Sequence, residues 1–232
     1  MKNMQYARIL VWAAHPDDEL TMAGTIAMLR ARGAEVYIAM LMTGSEGFPR
    51  VEWKDRIVEM RRREADACDH VLGIARRYHM GIPDMIGDGY TPERLKECIR
   101  IIREVRPEAS FTHGPADNHN DHRLTHRLSV DALWHAGEPV SADLGAPWKT
   151  PFKYYYKGVT GGLPRVAVDV TEYAGKRFEA LATQESQFVL FGKNRDEFLA
   201  EGRALLASGK PVRDTFWLAE GNNFDGFLHA AE

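Results

Sequence analysis

The chain is poor in cysteine: only Cys68 and Cys98 occur among its 232 residues, thirty positions apart and outside any Cys-x-x-Cys spacing. A disulfide framework or a thiolate zinc site needs more cysteines at closer spacing, so both thiols are expected reduced and buried. A long hydrophobic run is also missing near the N-terminus. The apolar stretch at residues 9–14 has six members before His15 to Glu19 end it with charge, too short for a signal-peptide core or a membrane span. The expectation is a cytoplasmic protein with no membrane insertion. Nor is there a basic surplus: 30 Lys and Arg face 33 Asp and Glu, a net charge of −3, which disfavours nucleic acid as a partner. With 44% hydrophobic and 27% charged residues, disorder, collagen and coiled coil are excluded. Repeats, low-complexity tracts and clear linkers are lacking, and the length suits one domain over residues 1–232.

What the chain does have is alternation. Residues 9–14 read as a buried strand, 20–32 as a helix stopping at Gly33, and 35–42 as a second strand ending at Thr43-Gly44. Helical period over residues 53–72 (Ile57, Met60, Glu64, Ala67, Val71) stops at Gly73. A weaker strand at 75–80 leads to Gly81-Ile82-Pro83-Asp84. Thr91-Pro92 reads as a cap and first turn for a helix running to about Val105. Residues 108–112 enter a histidine-rich loop. Strand–helix alternation at this spacing predicts an α/β fold with a mostly parallel β-sheet flanked by helices. Gly158 to Pro164 marks a candidate boundary before a C-terminal section with a strand at 165–170 and helices near 173–188 and 195–208.

Ligands of open α/β sheets bind at the C-terminal ends of strands, and the unusual residues of this chain fall there. His15-Pro16-Asp17-Asp18-Glu19 follows the first strand, and residues 43–50 follow the second. Four of the nine histidines (His113, His119, His122, His126) lie within fourteen residues after the strand near Ser110. His15 and Asp18, three apart at a turn into a helix, can aim an imidazole and a carboxylate into one site suited to a divalent ion such as zinc. The histidine loop can supply a third ligand; the residue types leave His119 and His122 equally eligible. Two imidazoles, one carboxylate and an open position form the ligand set of a catalytic metal. Asp17 is then the surplus carboxylate, placed to take a proton from water.

Simpler readings exist for each residue. Asp17, Asp18 and Glu19 can be first-turn acids favoured by a helix dipole, and His126 and His135 fit a helix surface. His70, His79 and His229 read as surface or hydrogen-bonded histidines. A dehydrogenase or nucleotide-binding module would need a glycine-rich first turn, and up to three negative charges stand there instead. A non-catalytic metal- or sugar-binding module uses the same residue types and stays as the alternative. Arg50 is a candidate partner for an anionic aglycone and Asp84 for sugar hydroxyls. Trp148 and Tyr154-Tyr155-Tyr156 offer a stacking face, although alternate tyrosines at strand spacing fit a core better.

On these blocks the sequence resembles the LmbE-like (PIG-L) N-acetylglucosaminyl de-N-acetylase family over most of its length. Ala14-His15-Pro16-Asp17-Asp18-Glu19 matches the family signature, and Thr43-Gly44-Ser45-Glu46-Gly47 its second loop. Arg61 to Glu64 is similar to its R-x-x-E helix, Asp117 to His122 to its D-x-H-P-D-H block, and Lys176 to Gln187 to its K…AL…SQ stretch. Asn120 replaces a usual proline, and Gln184 stands where many members carry histidine. Glu185-Ser186-Gln187-Phe188 is similar to the branch that acts on the glucosaminyl-malate precursor of bacillithiol. The resemblance implies a Rossmann-like (LmbE-like) fold and zinc, or another first-row divalent ion, on His15, Asp18 and His122. It also implies Asp17 as general base, and His119 as the oxyanion-stabilising group oriented and charged by Asp121. The implied activity removes acetyl from an N-acetylglucosamine-type small-molecule conjugate, and the family's habit implies a homo-oligomer.

Overall fold

The computed structural model describes residues 6–85 and 89–219; His229 lies outside them. Seven strands form one sheet: β1 (Arg8–Ala13), β2 (Glu35–Met42), β3 (Arg76–Ile82), β4 (Ala109–His113), β5 (Phe152–Lys157), β6 (Arg165–Asp169) and β7 (Arg213–Leu218). Their order across the sheet is β3-β2-β1-β4-β5-β7-β6. The first five pair parallel, and β7 enters antiparallel between β5 and β6. The helices are α1 (Ala23–Ala31), α2 (Ile57–Leu72), α3 (Pro92–Val105), α4 (Asn120–Ala136), α5 (Ala174–Leu181), α6 (Glu185–Phe188) and α7 (Arg195–Ala207). None among the described residues is long and apolar enough to cross a membrane.

β1 is buried along nearly its whole length because both faces of the sheet are covered, as parallel sheets require. Its odd residues Ile9, Val11 and Ala13 pack with Ile26 and Leu29 of α1, Leu72 of α2 and Ala180 of α5. The even residues Leu10 and Trp12 pack with Ile99 and Ile102 of α3 and Leu128 and Ala132 of α4. Strand periodicity of two thus assigns alternate residues to two separate cores. Tyr154 and Tyr156 join the first of them, so the core reading of the tyrosine run holds for those two. Trp148 packs beside the second core and donates its indole N–H to the Pro107 carbonyl at 2.9 Å. Both cysteines are free and buried, and burial pushes their thiols up.

Local signals explain the element ends. Thr91 caps α3 by accepting the Arg94 amide at 3.3 Å, with Pro92 in the first turn. Gly73 ends α2 at φ +68°. Two expected helices are divided differently. Residues 18–22 form a 3-10 turn before α1 begins, and the helix near 173–188 breaks between α5 and α6 at residues 182–184. β7 had no counterpart in the sequence reading.

After β2 and β3 the chain returns across the sheet, so that β4 lies on the other side of β1. The point where strand order reverses therefore falls between β1 and β4, where open α/β sheets leave a crevice at their carboxyl ends.

Candidate metal centre

At that crevice the turn after β1 meets the N-terminal turn of α4. Ligand atoms of His15, Asp18 and His122 all lie within 4.8 Å of one another. Asp18 is only 4% exposed, and its two oxygens face different partners. Oδ2 accepts the His15 backbone N–H at 2.8 Å and lies 3.3 Å from His113 Nε2. Oδ1 lies 3.4 Å from His122 Nε2 and accepts from Lys157 Nζ at 2.5 Å. Burial works against the charged carboxylate, but His113, His15 and Lys157 outweigh it and hold Asp18 well below the usual range.

Each of the two imidazoles has a carboxylate behind it. His15 Nε2 lies 3.1 Å from Asp121 Oδ2; in the neutral ring, donating there leaves Nδ1, the nitrogen facing Asp18, with its lone pair available. Asp117 Oδ1 stands 3.0 Å from His122 Nδ1 in the same relation. Burial opposes charge on His15, yet Asp121 and Asp18 together raise it to about 10. Burial and the neighbouring His113 push His122 down to about 4 despite Asp18, which keeps its ring neutral at pH 7. A buried carboxylate, two imidazoles each backed by an acid, and an excess of negative charge around His15 are what a divalent cation requires. The residues present fit the metal.

Around this set lie the other residues of the first turn, the second loop and the histidine loop. Asp17 is 38% exposed, and Arg61 Nη2 holds its Oδ2 at 2.9 Å. His119 is 44% exposed, with its ring centroid 4.8 Å from that of His15 and 4.6 Å from that of His122. Its Nδ1 accepts the Asp121 backbone N–H at 3.2 Å, so the neutral ring carries its proton on Nε2. The Asp121 carboxylate is 4.0 Å from His119 but bonded to His15 and to the Met85 amide. Asp121 therefore orients His119 through its backbone, keeps its carboxylate 4.0 Å from that ring, and braces His15 through its side chain. Asp84 is buried and accepts the amides of Gly44 at 2.8 Å and Glu46 at 3.0 Å, so it fixes the second loop. Arg50 is exposed and sits 5.2 Å from the Trp53 ring centroid; among the described residues no hydrogen bond or ion pair joins it to the cluster.

Several residues that contact this cluster had no assigned role in the sequence. His113 is fully buried, stacked on His122 at 4.2 Å between ring centroids. The Tyr156 hydroxyl donates to the Trp12 carbonyl at 2.7 Å and lies 2.8 Å from His113 Nε2, which the Ala14 amide also reaches at 3.3 Å, so these contacts fix that ring beside Asp18. Arg61, 3% exposed, also donates to Gln184 Oε1 at 3.3 Å, while Glu64 accepts the Ser186 amide at 2.5 Å and its hydroxyl at 2.8 Å. Gln187 donates to the Gly47 carbonyl at 3.0 Å. Thus α6 and α2 brace the loop beside Asp17, and Gln184, at the position where histidine is usual, acts as a partner of Arg61. The histidine density pointed to His113; nothing local pointed to Lys157. It reaches Asp18 because the β4–β5 register skips Tyr156, pairing Thr112 with Tyr155 but His113 with Lys157.

Known proteins carry the same arrangement of elements. The family model described as GlcNAc-PI de-N-acetylase (PIG-L) matches residues 10–133, more than half of the chain. A 1D-myo-inositol 2-acetamido-2-deoxy-alpha-D-glucopyranoside deacetylase of Segniliparus rotundus is 31% identical over 193 residues, covering 68% of this chain and 60% of that one. Its namesake in Rhodococcus erythropolis is 29% identical, covering 72% of this chain and 66% of that one. The chain thus spans slightly under two thirds of the length of these relatives. The N,N'-diacetylchitobiose deacetylase of Pyrococcus horikoshii superposes with a TM-score of 0.77 at 23% identity, covering 97% of this chain and 91% of that one, a likeness of fold. The matched segment runs from β1 through the Asp17-Asp18 turn to the helix bearing His122, and on that match the chain belongs to the PIG-L family.

Proposed function

We propose that the protein hydrolyses the acetamido group of an N-acetylglucosamine-type sugar conjugate to a free amine and acetate, using zinc held by His15, Asp18 and His122. The observation that supports it best is Asp17: a partly exposed carboxylate, fixed by Arg61 at 2.9 Å, adjoining Asp18 of the His15–Asp18–His122 set. The named activity of the relatives supports the sugar class. A zinc ion bound there supplies a Lewis acid for the acetamide carbonyl and makes a nearby water acidic enough to react near neutral pH.

The chain's own residues do the rest. With Oδ2 of Asp17 engaged by Arg61, Oδ1 takes the proton of the attacking water. The carbonyl carbon becomes tetrahedral, and the charge developing on its oxygen meets the Nε2–H of His119; one such donor is worth roughly 10²–10³ in rate. The C–N bond then breaks, and Asp17 returns its proton to the departing amine. Asp121 and Asp117 keep His15 and His122 in ligating orientation throughout. Arg50 on Trp53 is the side chain we assign to an anionic aglycone group.

The test measures metal and turnover together. Asp17→Asn should retain about one zinc per chain by mass spectrometry. It should lose at least ~10² in amine release from an N-acetylglucosaminyl-inositol, the scale of a general base. Turnover within tenfold of the parent would remove Asp17 as base. Metal without amine release from any N-acetylglucosaminide in the parent protein would favour the non-catalytic binding module.

A further inference from the structure

We infer that Lys157 is a tethered competitor of the metal: its ammonium occupies the metal-facing oxygen of Asp18 and so sets the affinity of the site. The inference rests on the metal reading of His15, Asp18 and His122 and adds to it a residue that weakens metal binding while stabilising the ligands in its absence.

Three observations carry it. Asp18 divides its oxygens: Oδ2 is committed to the His15 amide and to His113, whereas Oδ1 is turned toward His122 Nε2, 3.4 Å away. Oδ1 is thus the oxygen with lone pairs left for a cation, and Lys157 Nζ lies on it at 2.5 Å. The placement is built in. The skipped residue at Tyr156 re-aims Lys157, and the carbonyl of Lys157 accepts the Gly114 amide at 2.7 Å. A Cβ on Gly114 would lie 2.4 Å from the Gly158 carbonyl oxygen, so the loops after β4 and β5 touch backbone to backbone and hold Lys157 in register. Finally, the Lys157 side chain is 30% exposed while Asp18 is 4% exposed. The lysine can leave toward solvent on its flexible stem; the carboxylate cannot. A divalent ion and an ammonium at contact with one carboxylate oxygen repel each other in a poorly screened site, so binding of one displaces the other.

The test compares the parent protein with Lys157→Met and Lys157→Gln in two measurements at one pH: zinc affinity by competition with a calibrated chelator, and melting temperature of the chelator-treated protein. Competition requires opposite signs. Both variants should bind zinc at least about tenfold more tightly, because no displacement is needed, and both metal-free variants should melt lower, because Asp18 loses its counter-charge. A lysine with a merely structural role would lower melting temperature and zinc affinity together, and that result, or unchanged affinity in a folded variant, overturns the inference. Lys157→Gln, which can still donate to Asp18, keeps the test alive if Lys157→Met does not fold. Failure of zinc to bind the parent and both variants would instead remove the metal reading itself.

Discussion

Replacing Arg61 by lysine tests whether Asp17 is held for catalysis or merely borders the site. Arg61 spreads one planar guanidinium over three groups: Nη2 to Asp17 at 2.9 Å, Nη1 to Gln184 at 3.3 Å, and Nη1 toward Glu64 at 3.7 Å. A lysine keeps the charge, so buried Glu64 is not left beside a neutral group, but a compact ammonium cannot reach all three at once. The carboxylate of Asp17 remains and its placement is lost. Displacing a catalytic group by about 1 Å costs on the order of 10²-fold, part of the ~10²–10⁴ a general base contributes. At 1.36 kcal/mol per decade this is about 2.7 kcal/mol of transition-state stabilisation. The expected result for Arg61→Lys is therefore a roughly 100-fold fall in kcat with little change in KM, followed as acetate released from an N-acetylglucosaminide. Because Arg61 acts through Asp17, adding Arg61→Lys to Asp17→Asn should cost almost nothing more. Losses that multiply in the double variant, or a single variant within about threefold of the parent, would refute the assignment.

Two further outcomes can be checked by unfolding. Arg103 is buried and donates to six carbonyls around the end of α4, among them those of Ser141, Glu138 and Val140 at 2.7–2.8 Å. Arg103→Met should cost about 3–5 kcal/mol and lower the melting temperature by roughly 10 °C, read by denaturant and thermal melts; a loss under about 1 kcal/mol would mean that water takes over those carbonyls. His126, held through Nδ1 by the His113 carbonyl at 2.8 Å, has its pKa lowered from 6.5 by burial. The unfolded chain therefore takes up this proton first, and stability drops as pH falls below 6.5 toward the folded value. His126→Gln should flatten the melting profile between about pH 7 and 5, and an unchanged slope would place the acid sensitivity elsewhere.

Much of the scaffold could be read from local signals. β2 and α3 have the bounds that β-branched runs, the Thr91 cap and Pro92 imply. The same is true of the pairing of Asp17 and Asp18 with His15 on one turn. What escaped was non-local. β7 is a short strand whose place between β5 and β6 depends on partners roughly forty-five to sixty-five residues earlier in the chain. Lys157 depends on a register skip that appears only when β4 and β5 pair. Asp121, which the resemblance pairs with His119, also bonds through its carboxylate to His15, 106 positions away, across the packing of β1 against β4. Asp84 sits at a strand end, and the Gly44 and Glu46 amides that it accepts come from a loop about forty positions earlier.

The reversal of strand order between β1 and β4 has a consequence for how the protein endures heat or denaturant. It brings together a turn and a helix that are more than a hundred residues apart in the chain, so a cation bridging His15 and His122 closes a loop of about that length, which in the unfolded chain carries an entropy cost on the order of 5 kcal/mol. Unfolded molecules then have almost no affinity for the ion, and the native fold inherits nearly all of its binding free energy. A cation bound there would in that sense be a clasp across the seam between the two halves of the sheet, and its removal would loosen the fold.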